Sequence, residues 1–288
     1  MSDIEFAVIG GSGLYDMDGL TEREELSVVT PFGQPSDQIM VGTLYGRRVA
    51  FLPRHGRGHV LSPSEVPYRA NIFALKTLGV RYIVAVSACG SLREDYAPGH
   101  IVVPDQLVDH TRKRVTSFFE QGLVAHVSLA HPFSPEMNRA IAHCCRAAGG
   151  TVHEGGTFIT IEGPRFSTKG ESVLYRQWNM SIIGMTTSPE AFLAAEAEIA
   201  YGVMAHVTDY DVWHESEGPV TVDMVIQTVQ KNTQIAQDAI GRLVRTMGEW
   251  AGDFPAHHTL QDAIITHRSH IAAQRKQVLA PLVGKYLD

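Results

Sequence analysis

YGVMAHV, residues 201–207, is followed without a break by TDYDVW, residues 208–213. The first segment is an apolar run of the kind that forms a buried strand. Because the side chains of a strand alternate between its faces, Asp209 and Asp211 are expected to point the same way at its carboxyl end. Open α/β sheets bind ligands at that edge, where two carboxyls can accept hydrogens from an amino group and protonate a ring nitrogen. A simple turn pair is the alternative.

The order of apolar strand and small-residue turn recurs along the chain. Residues 4–9 run into GGSG (10–13), and residues 81–86 run into SACGS (87–91). Such segments alternate with stretches of helical periodicity, which predicts an α/β fold with a central mixed, mainly parallel sheet flanked by helices. Further strands are predicted at 38–44, 48–52, 101–108, 156–161 and 182–185, and helices at 66–78, 135–148, 170–178, 191–200 and 220–247.

The domain organisation follows from the absence of any break in composition. Neither a repeat nor a low-complexity tract divides the 288 residues, so residues 1–288 are predicted to form a single domain with a helical C-terminal tail from about residue 253. Residues 111–123 carry no regular pattern, and we expect a long excursion there.

Composition narrows the class of protein. The net charge of −7, with Lys and Arg scattered, argues against a nucleic-acid partner. The N-terminus lacks the basic stretch of a secretory signal and no apolar run has the length of a membrane span, so we expect a cytoplasmic protein with no membrane partner. The 3 cysteines and 14 histidines follow no metal-ligand spacing, so no metal is expected.

An anion site is indicated by the glycine turn at residues 10–13. Glycines let backbone amides approach an oxyanion, and Ser12 adds a hydroxyl donor. The rival is a dinucleotide-binding fold, but GxGxxG would need a glycine where Asp16 stands.

Residues at the ends of two further strands are candidates to bind the same anion. Arg54 and His55 follow a strand in PRHGRGH (53–59), where arginine offers a planar fork and histidine can donate from either ring nitrogen. A solvated basic turn is the alternative. Ser87 and Ala88 end another strand and could add a hydroxyl and a backbone amide. Three strand ends converging on one anion form a stronger pattern than any one of them.

Two turns supply groups for a flat heterocycle and a sugar. In EGPRFS (162–167), Phe166 could stack on a planar ring, although a half-buried phenylalanine needs no ligand. In GMTT (184–187), Met185 can line a sugar and Thr186 can donate to phosphate, although methionine often serves only to fill a core.

Taken together, the motifs resemble those of the trimeric purine nucleoside phosphorylases, most of all the members that act on 5′-methylthioadenosine. The similarity extends from about residue 4 to the middle of the long predicted helix. The segments that carry it are IGGSGLYD, PFGQPSD, RHGRGH, ACGSL, IEGPRFST, GMTTSPE, EAEIAY and TDYDVW.

The resemblance implies a role for each matching position. It implies phosphate binding by Ser12, Arg54, His55, Ser87, Ala88 and Thr186. It places Met185 under the ribose, Phe166 and Ser167 against the purine, Asp209 and Asp211 at the N6 and N7 edge, Val222 and Val225 around a methylthio group, and His126 in a neighbouring subunit's 5′ site. It implies a homotrimer, with a hexamer as the alternative, and no cofactor beyond phosphate as co-substrate.

The expected reaction is phosphorolysis of 5′-methylthioadenosine. Asp209 is the expected acid, because burial and the nearby carboxylate of Asp211 raise a carboxyl pKa, and the two are expected to titrate as a coupled pair. Carboxylates accept from the 6-amino group of adenine and repel a 6-oxo group. One alternative is a phosphorylase of 6-oxopurine nucleosides such as inosine or methylthioinosine, because Gly184 resembles the residue of those relatives. The other alternative is a non-catalytic nucleoside-binding module.

Overall fold

The computed structural model describes residues 4–214 and 222–287, without the side chains of Ser12, Tyr15 and residues 222–231. The strands are β1 (Phe6–Gly10), β2 (Thr21–Leu26), β3 (Ile39–Leu44), β4 (Arg47–Pro53), β5 (Tyr82–Ser91), β6 (Ile101–Val103), β7 (Gln106–His110), β8 (Val152–Glu154), β9 (Thr157–Ile161), β10 (Ile182–Gly184) and β11 (Ala200–Asp209). The α-helices are α1 (Tyr68–Thr77), α2 (Pro135–Ala147), α3 (Lys169–Gln177), α4 (Thr187–Glu196), α5 (Val222–Arg245), α6 (Met247–Trp250), α7 (Ala273–Val278) and α8 (Ala280–Leu287). No helix within these ranges is long and apolar enough to cross a membrane.

The strands form one mixed sheet whose centre is parallel. Strand β1 lies between β4 and β5, and β5 also pairs with β11, all in parallel. Strands β2 and β3 extend one side of the sheet in antiparallel pairings, and β10 joins the far end of β5 antiparallel. The predicted fold class, a mixed and mainly parallel sheet flanked by helices, is confirmed.

The two faces of the sheet bury separate cores because the side chains of each strand alternate. From β1, Ala7 and Ile9 pack into a cluster with α1 and α4. Phe6 and Val8 point to the opposite face, into a cluster with α2 and α5. Helices cover both faces, so ligands can reach the parallel strands at their exposed carboxyl ends.

Some element bounds differ from the sequence prediction, each for a local reason. Strand β2 was not predicted because TEREEL is charged, and its side chains are indeed mostly exposed at the edge of the sheet. The single strand predicted at 101–108 is two strands, separated by Pro104 and Asp105, since proline has no N–H to donate. The strand expected at 81–86 continues as far as Ser91.

The chain after Asp253 forms short helical segments and not one long helix. The helical tail expected from about residue 253 begins with 3₁₀ turns at Pro255–His258 and Arg268–His270 and becomes α-helical only with α7 at Ala273. Its anchor is Glu198, a carboxylate only 2% exposed, which accepts the backbone N–H of Leu260 at 3.1 Å and lies 2.7 Å from Lys285 Nζ. The hydroxyl of Tyr286 donates to the same carboxylate. One buried acid therefore bonds to the C-terminal segment at Leu260, Lys285 and Tyr286, beside the core packing of α8.

Replacing Lys285 with methionine is expected to lower the free energy of unfolding, because it leaves the buried carboxylate of Glu198 without its cation. A buried charged group that loses a partner costs about 1–3 kcal/mol. Urea unfolding measures the change. Lys169→Met, at an exposed lysine, is the control, and equal stability of the two variants would contradict the anchoring role of Lys285.

Candidate active site

A cavity of about 770 Å³ lies at the carboxyl ends of β1, β4, β10 and β11 and beside the last half of β5. Ten of the residues predicted from the sequence line it: Arg54, His55, Ser87, Ala88, Phe166, Ser167, Met185, Thr186, Asp209 and Asp211. The structure therefore brings the predicted phosphate, sugar and purine groups into one space. Their individual roles stay predictions.

The other predicted site residues lie elsewhere or outside the described atoms. Gly11 and Gly13 line the cavity, but the side chain of Ser12 between them is not among those described. Val222 and Val225 begin α5, and their side chains also fall outside the described residues. His126 is exposed and does not line the cavity of its own subunit.

The acid pair shares one side of the cavity for a different reason from the one predicted. Asp209 is the last residue of β11, so Asp211 lies beyond the strand and strand alternation cannot align the two. Instead Asp211 adopts a left-handed backbone, with φ of 51°. Its N–H donates to Asp209 Oδ1 over 2.7 Å. Aspartate tolerates a left-handed backbone better than most residues. The resulting tight turn directs both carboxyls toward the cavity.

A β-bulge precedes this turn. Val207 pairs with Cys89 and Asp209 with the next residue, Gly90, so Thr208 is an extra residue on β11. Its Oγ1 lies 2.6 Å from Asp209 Oδ2 and 3.2 Å from Cys89 O, and it donates to one or the other. Since a bulge interrupts alternation, the neighbours Thr208 and Asp209 both line the cavity.

The environment of Asp211 raises the pKa of its carboxyl. Burial raises the pKa of Asp211, while the hydroxyl of Ser172, the N–H of Val212 and the hydroxyl of Ser167 partly offset the rise. These hydroxyls face the carboxyl, but Oδ2 has no hydrogen bond of regular geometry within the described part of the chain. Asp211 therefore retains a proton more readily than an exposed carboxyl would.

Arg54 is mainly engaged by the protein itself. Its guanidinium is buried and makes two bonds of 2.8 Å to the carboxylate of Glu190. It also donates to Val86 O at 3.1 Å and to Ile9 O at 3.4 Å. Burial lowers the pKa of Arg54, but the ion pair with Glu190 outweighs it and the net shift is upward. An arginine has five N–H groups, so the four bonds leave one for a ligand.

His55 faces the cavity as a neutral ring. Burial and the neighbouring charge of Arg54 lower its pKa to about 4. Its Nδ1 lies 2.8 Å from Leu61 O, and since a carbonyl only accepts, that nitrogen carries the hydrogen. Nε2 of the neutral ring is then an acceptor. With Nδ1 bonded to Leu61 O, His55 has Nε2 available to a ligand, and its role in phosphate binding stays a prediction.

Gly184 is required by packing. A Cβ at this position would lie 2.7 Å from the ring of Phe158, a buried core residue. A larger residue at 184 would push that ring out of place, whatever base the cavity takes. Gly184 therefore gives no reason to favour a 6-oxopurine.

Arg114 lies in the excursion between β7 and α2 and ties two turns of the site together. Its Nη1 donates to the backbone oxygens of Met185 and Ser188, each at 2.6 Å, and its Nη2 to that of Glu162 at 2.8 Å. Only 1% of its side chain is exposed. The turns that carry Phe166 and Met185 thus share one buried cation, whose contacts lie too far apart in the chain to be found from the sequence.

The chain belongs to the phosphorylase superfamily, whose sequence profile matches residues 5–247. A relative from Chloroflexus aurantiacus, an S-methyl-5′-thioadenosine phosphorylase, is 53% identical over 99% of both chains. The crystal structure of a methylthioadenosine phosphorylase from an antarctic soil metagenomic library matches with a TM-score of 0.94, 49% identity, and coverage of 98% of this chain and 99% of that one. Methylthioadenosine phosphorylase from Schistosoma mansoni in complex with adenine matches with a TM-score of 0.85 and 34% identity, covering 91% and 99% of the two chains. The family expected from the motifs is confirmed.

Replacing Glu190 with glutamine is expected to destabilise the protein strongly, because the buried guanidinium of Arg54 loses its counter-charge. Breaking a buried ion pair from one side costs about 3–5 kcal/mol. The matched control is Glu24→Gln, which breaks the surface pair of Glu24 with Arg48 and should cost under about 1 kcal/mol. Urea unfolding compares the two, and similar losses would show that the buried pair does not support the fold.

Proposed function

We propose that the protein catalyses phosphorolysis of 5′-methylthioadenosine to adenine and 5-methylthioribose 1-phosphate, a step of purine and methionine salvage. The observation that carries this proposal is the single cavity that joins the acid pair to the strand-end groups of the predicted phosphate site. The names of relatives about half identical over almost the whole chain support the same reaction.

The residues at the two ends of the cavity suit the charges of this reaction. Phosphate attacks the anomeric carbon as the bond to N9 breaks, so positive charge develops on the sugar and negative charge on the purine. The phosphate dianion stabilises the sugar cation, and an acid near N7 neutralises the departing base. Asp209 is the proposed donor to N7. Asp211, whose N–H holds Asp209 in place, is the proposed partner of the 6-amino group.

The carboxyl pair favours adenine over hypoxanthine. A 6-amino group offers hydrogens that a carboxylate accepts, whereas a 6-oxo group offers only lone pairs. The 6-oxopurine alternative was motivated by Gly184, and the contact that a side chain there would make with Phe158 explains the glycine without it. The acid pair therefore predicts the purine base better than Gly184 does.

Further assignments complete the proposal. No metal or organic cofactor is required for the charges described. The backbone of the Gly11–Gly13 turn would bind phosphate together with Ser12, Arg54, His55, Ser87, Ala88 and Thr186. Phe166, which is 38% exposed, and Ser167 would contact the purine, and Met185 the ribose. Val222 and Val225 would surround the methylthio group.

We also propose a homotrimer, with a hexamer as the alternative. His126 is exposed and away from the cavity of its own subunit, which suits a residue that reaches a neighbour's site. A cytoplasmic location is proposed because all three cysteines are free, as expected in a reducing compartment.

Cleavage of 5′-methylthioadenosine is expected to require phosphate, because phosphate is the nucleophile. Adenine release is measured with and without inorganic phosphate, and the sugar product is identified as a 1-phosphate. Equal rates without phosphate would indicate a hydrolase, and no cleavage under either condition would favour the non-catalytic binding module. Inosine and methylthioinosine serve as comparison substrates, and a strong preference for either would overturn the role given to the acid pair.

Asp209→Asn is expected to lower kcat on 5′-methylthioadenosine about 10²- to 10⁴-fold, the range for a lost general acid. Asp211→Asn is the matched variant and should chiefly raise the KM for 5′-methylthioadenosine, because it removes an acceptor for the 6-amino group. Steady-state kinetics distinguish the two. A decrease in kcat of less than about threefold for Asp209→Asn would assign the proton to another group.

A further inference from the structure

The cavity wall contains buried polar side chains to which the proposed reaction gives no role. His206 is 4% exposed, and neither of its ring nitrogens has a hydrogen-bond partner within the described part of the chain. Asn232 is 5% exposed, and its Nδ2 likewise has no partner there. Both residues line the cavity. Since unpartnered buried polar groups are costly, their retention beside a cavity indicates a ligand that they contact.

The position of His206 follows from the sheet register. His206 pairs with Ala88, and two residues earlier Met204 pairs with Val86. Alternate residues of a strand share a face, so His206 points to the same side as Met204. Met204 packs in one cluster with Ala236 of α5. His206 therefore lies on the α5 side of the sheet, beside Ala88.

The position of Asn232 follows from α5. It precedes Ala236 by four residues, which places the two on one face of the helix. One residue after Ala236, Gln237 donates to Gly13 O at 2.9 Å and to Asp16 O at 3.3 Å. This part of α5 thus lies against the glycine turn. His206 and Asn232 therefore approach the cavity between the glycine turn and Ala88, the two segments assigned to phosphate.

A phosphate bound between the glycine turn and Ala88 needs hydrogen-bond donors. A phosphate dianion accepts many hydrogen bonds, and Arg54 adds only one N–H to the backbone and hydroxyl donors assigned above, because its other N–H groups bond to Glu190 and the backbone. The Oγ of Ser87, which has no partner within the described part of the chain, adds one donor. An asparagine amide has two N–H groups and a neutral imidazole has one. Burial lowers the pKa of His206 to about 4, so near neutral pH it offers such an N–H without a competing charge.

We propose that His206 and Asn232 donate hydrogen bonds to the phosphate co-substrate and extend its site onto the α5 side of the cavity. The inference rests on the phosphorolysis proposed above. The two residues act on binding and positioning of the nucleophile, so they should affect phosphate more than the nucleoside. A thioether or an apolar sugar face would not satisfy the donors, which is why phosphate is the better occupant.

His206→Met tests the proposal because methionine fills similar space without a donor. The expected result is a rise in the phosphate KM of about tenfold to a hundredfold, the worth of a hydrogen bond to a charged group, with the nucleoside KM within twofold of the wild type. His206→Gln, which restores a donor, should recover part of the loss. His143→Met, at an exposed histidine of α2, is the control and should change neither KM.

Asn232→Asp is the second variant, because it replaces the amide donors with acceptors and a charge at almost constant shape. It should weaken phosphate binding more than His206→Met. Binding is read independently of turnover from the rise in melting temperature that inorganic phosphate gives the wild type, a rise that both variants should largely lose. A variant whose melting temperature without phosphate stays near that of the wild type is folded and informative.

Three outcomes would overturn the proposal. A raised nucleoside KM with an unchanged phosphate KM would place the donors against the nucleoside. Unchanged kinetics together with an unchanged phosphate-induced shift would leave the two side chains a packing role only. If His206→Met raises the phosphate KM and His206→Gln raises it equally, the shape of the side chain and not its N–H donor causes the effect. Failure of phosphorolysis itself is separate, because it would appear in the wild type as cleavage that does not depend on phosphate.

Discussion

The buried ion pair of Arg54 and Glu190 is the interaction on which the rest of the site depends. Arg54 follows β4 and also donates to the backbone oxygens of Ile9 in β1 and Val86 in β5, while Glu190 in α4 accepts from the hydroxyl of Tyr201 in β11. The ion pair thus joins four strands and a helix at the edge of the sheet where the cavity opens. Because the carboxylate largely neutralises the arginine, the cavity has little net positive charge at this point, and a phosphate bound there as proposed would rely more on neutral donors and backbone amides.

The side of the cavity that carries Asp209 and Asp211 depends on departures from regular backbone geometry. A β-bulge at Thr208 ends the alternation of β11, and the left-handed backbone of Asp211 turns the second carboxyl back toward the first. A regular strand would separate Thr208 from Asp209 on opposite faces. Instead the hydroxyl and the N–H that stabilise Asp209 come from its immediate neighbours. The acid is therefore held by local structure, while the burial that raises the pKa of Asp211 comes from the surrounding fold.

Loops far apart in sequence are held together by groups that face away from the ligand. Arg114 joins the turns around Glu162 and Met185 through their carbonyl oxygens, and α5 is bonded to the glycine turn through Gln237. These contacts use backbone atoms, so the relative positions of the turns do not depend on the side chains that line the cavity. The same arrangement explains why His206 can lack a hydrogen-bond partner among the described residues, because the strands and helices around it are already held by other contacts.

The sequence by itself determined the fold class, most of the succession of strands and helices, and ten cavity residues. Hydrophobic periodicity and glycine turns are local, and strand ends of a parallel sheet meet at one edge, which is why nine of the ten could be chosen from the residues themselves, while Ser167 came from the family resemblance. The sequence missed β2, whose charged residues suit an exposed edge, and the short β8, and it joined β6 to β7 across Pro104. Only the tertiary structure decided which groups Arg54 contacts, which nitrogen of His55 bonds to Leu61 O, why Gly184 is a glycine, and that His206 and Asn232 line the cavity. Each of these depends on atoms from segments far apart in the chain, and periodicity within a single segment carries no information about the partner it will meet.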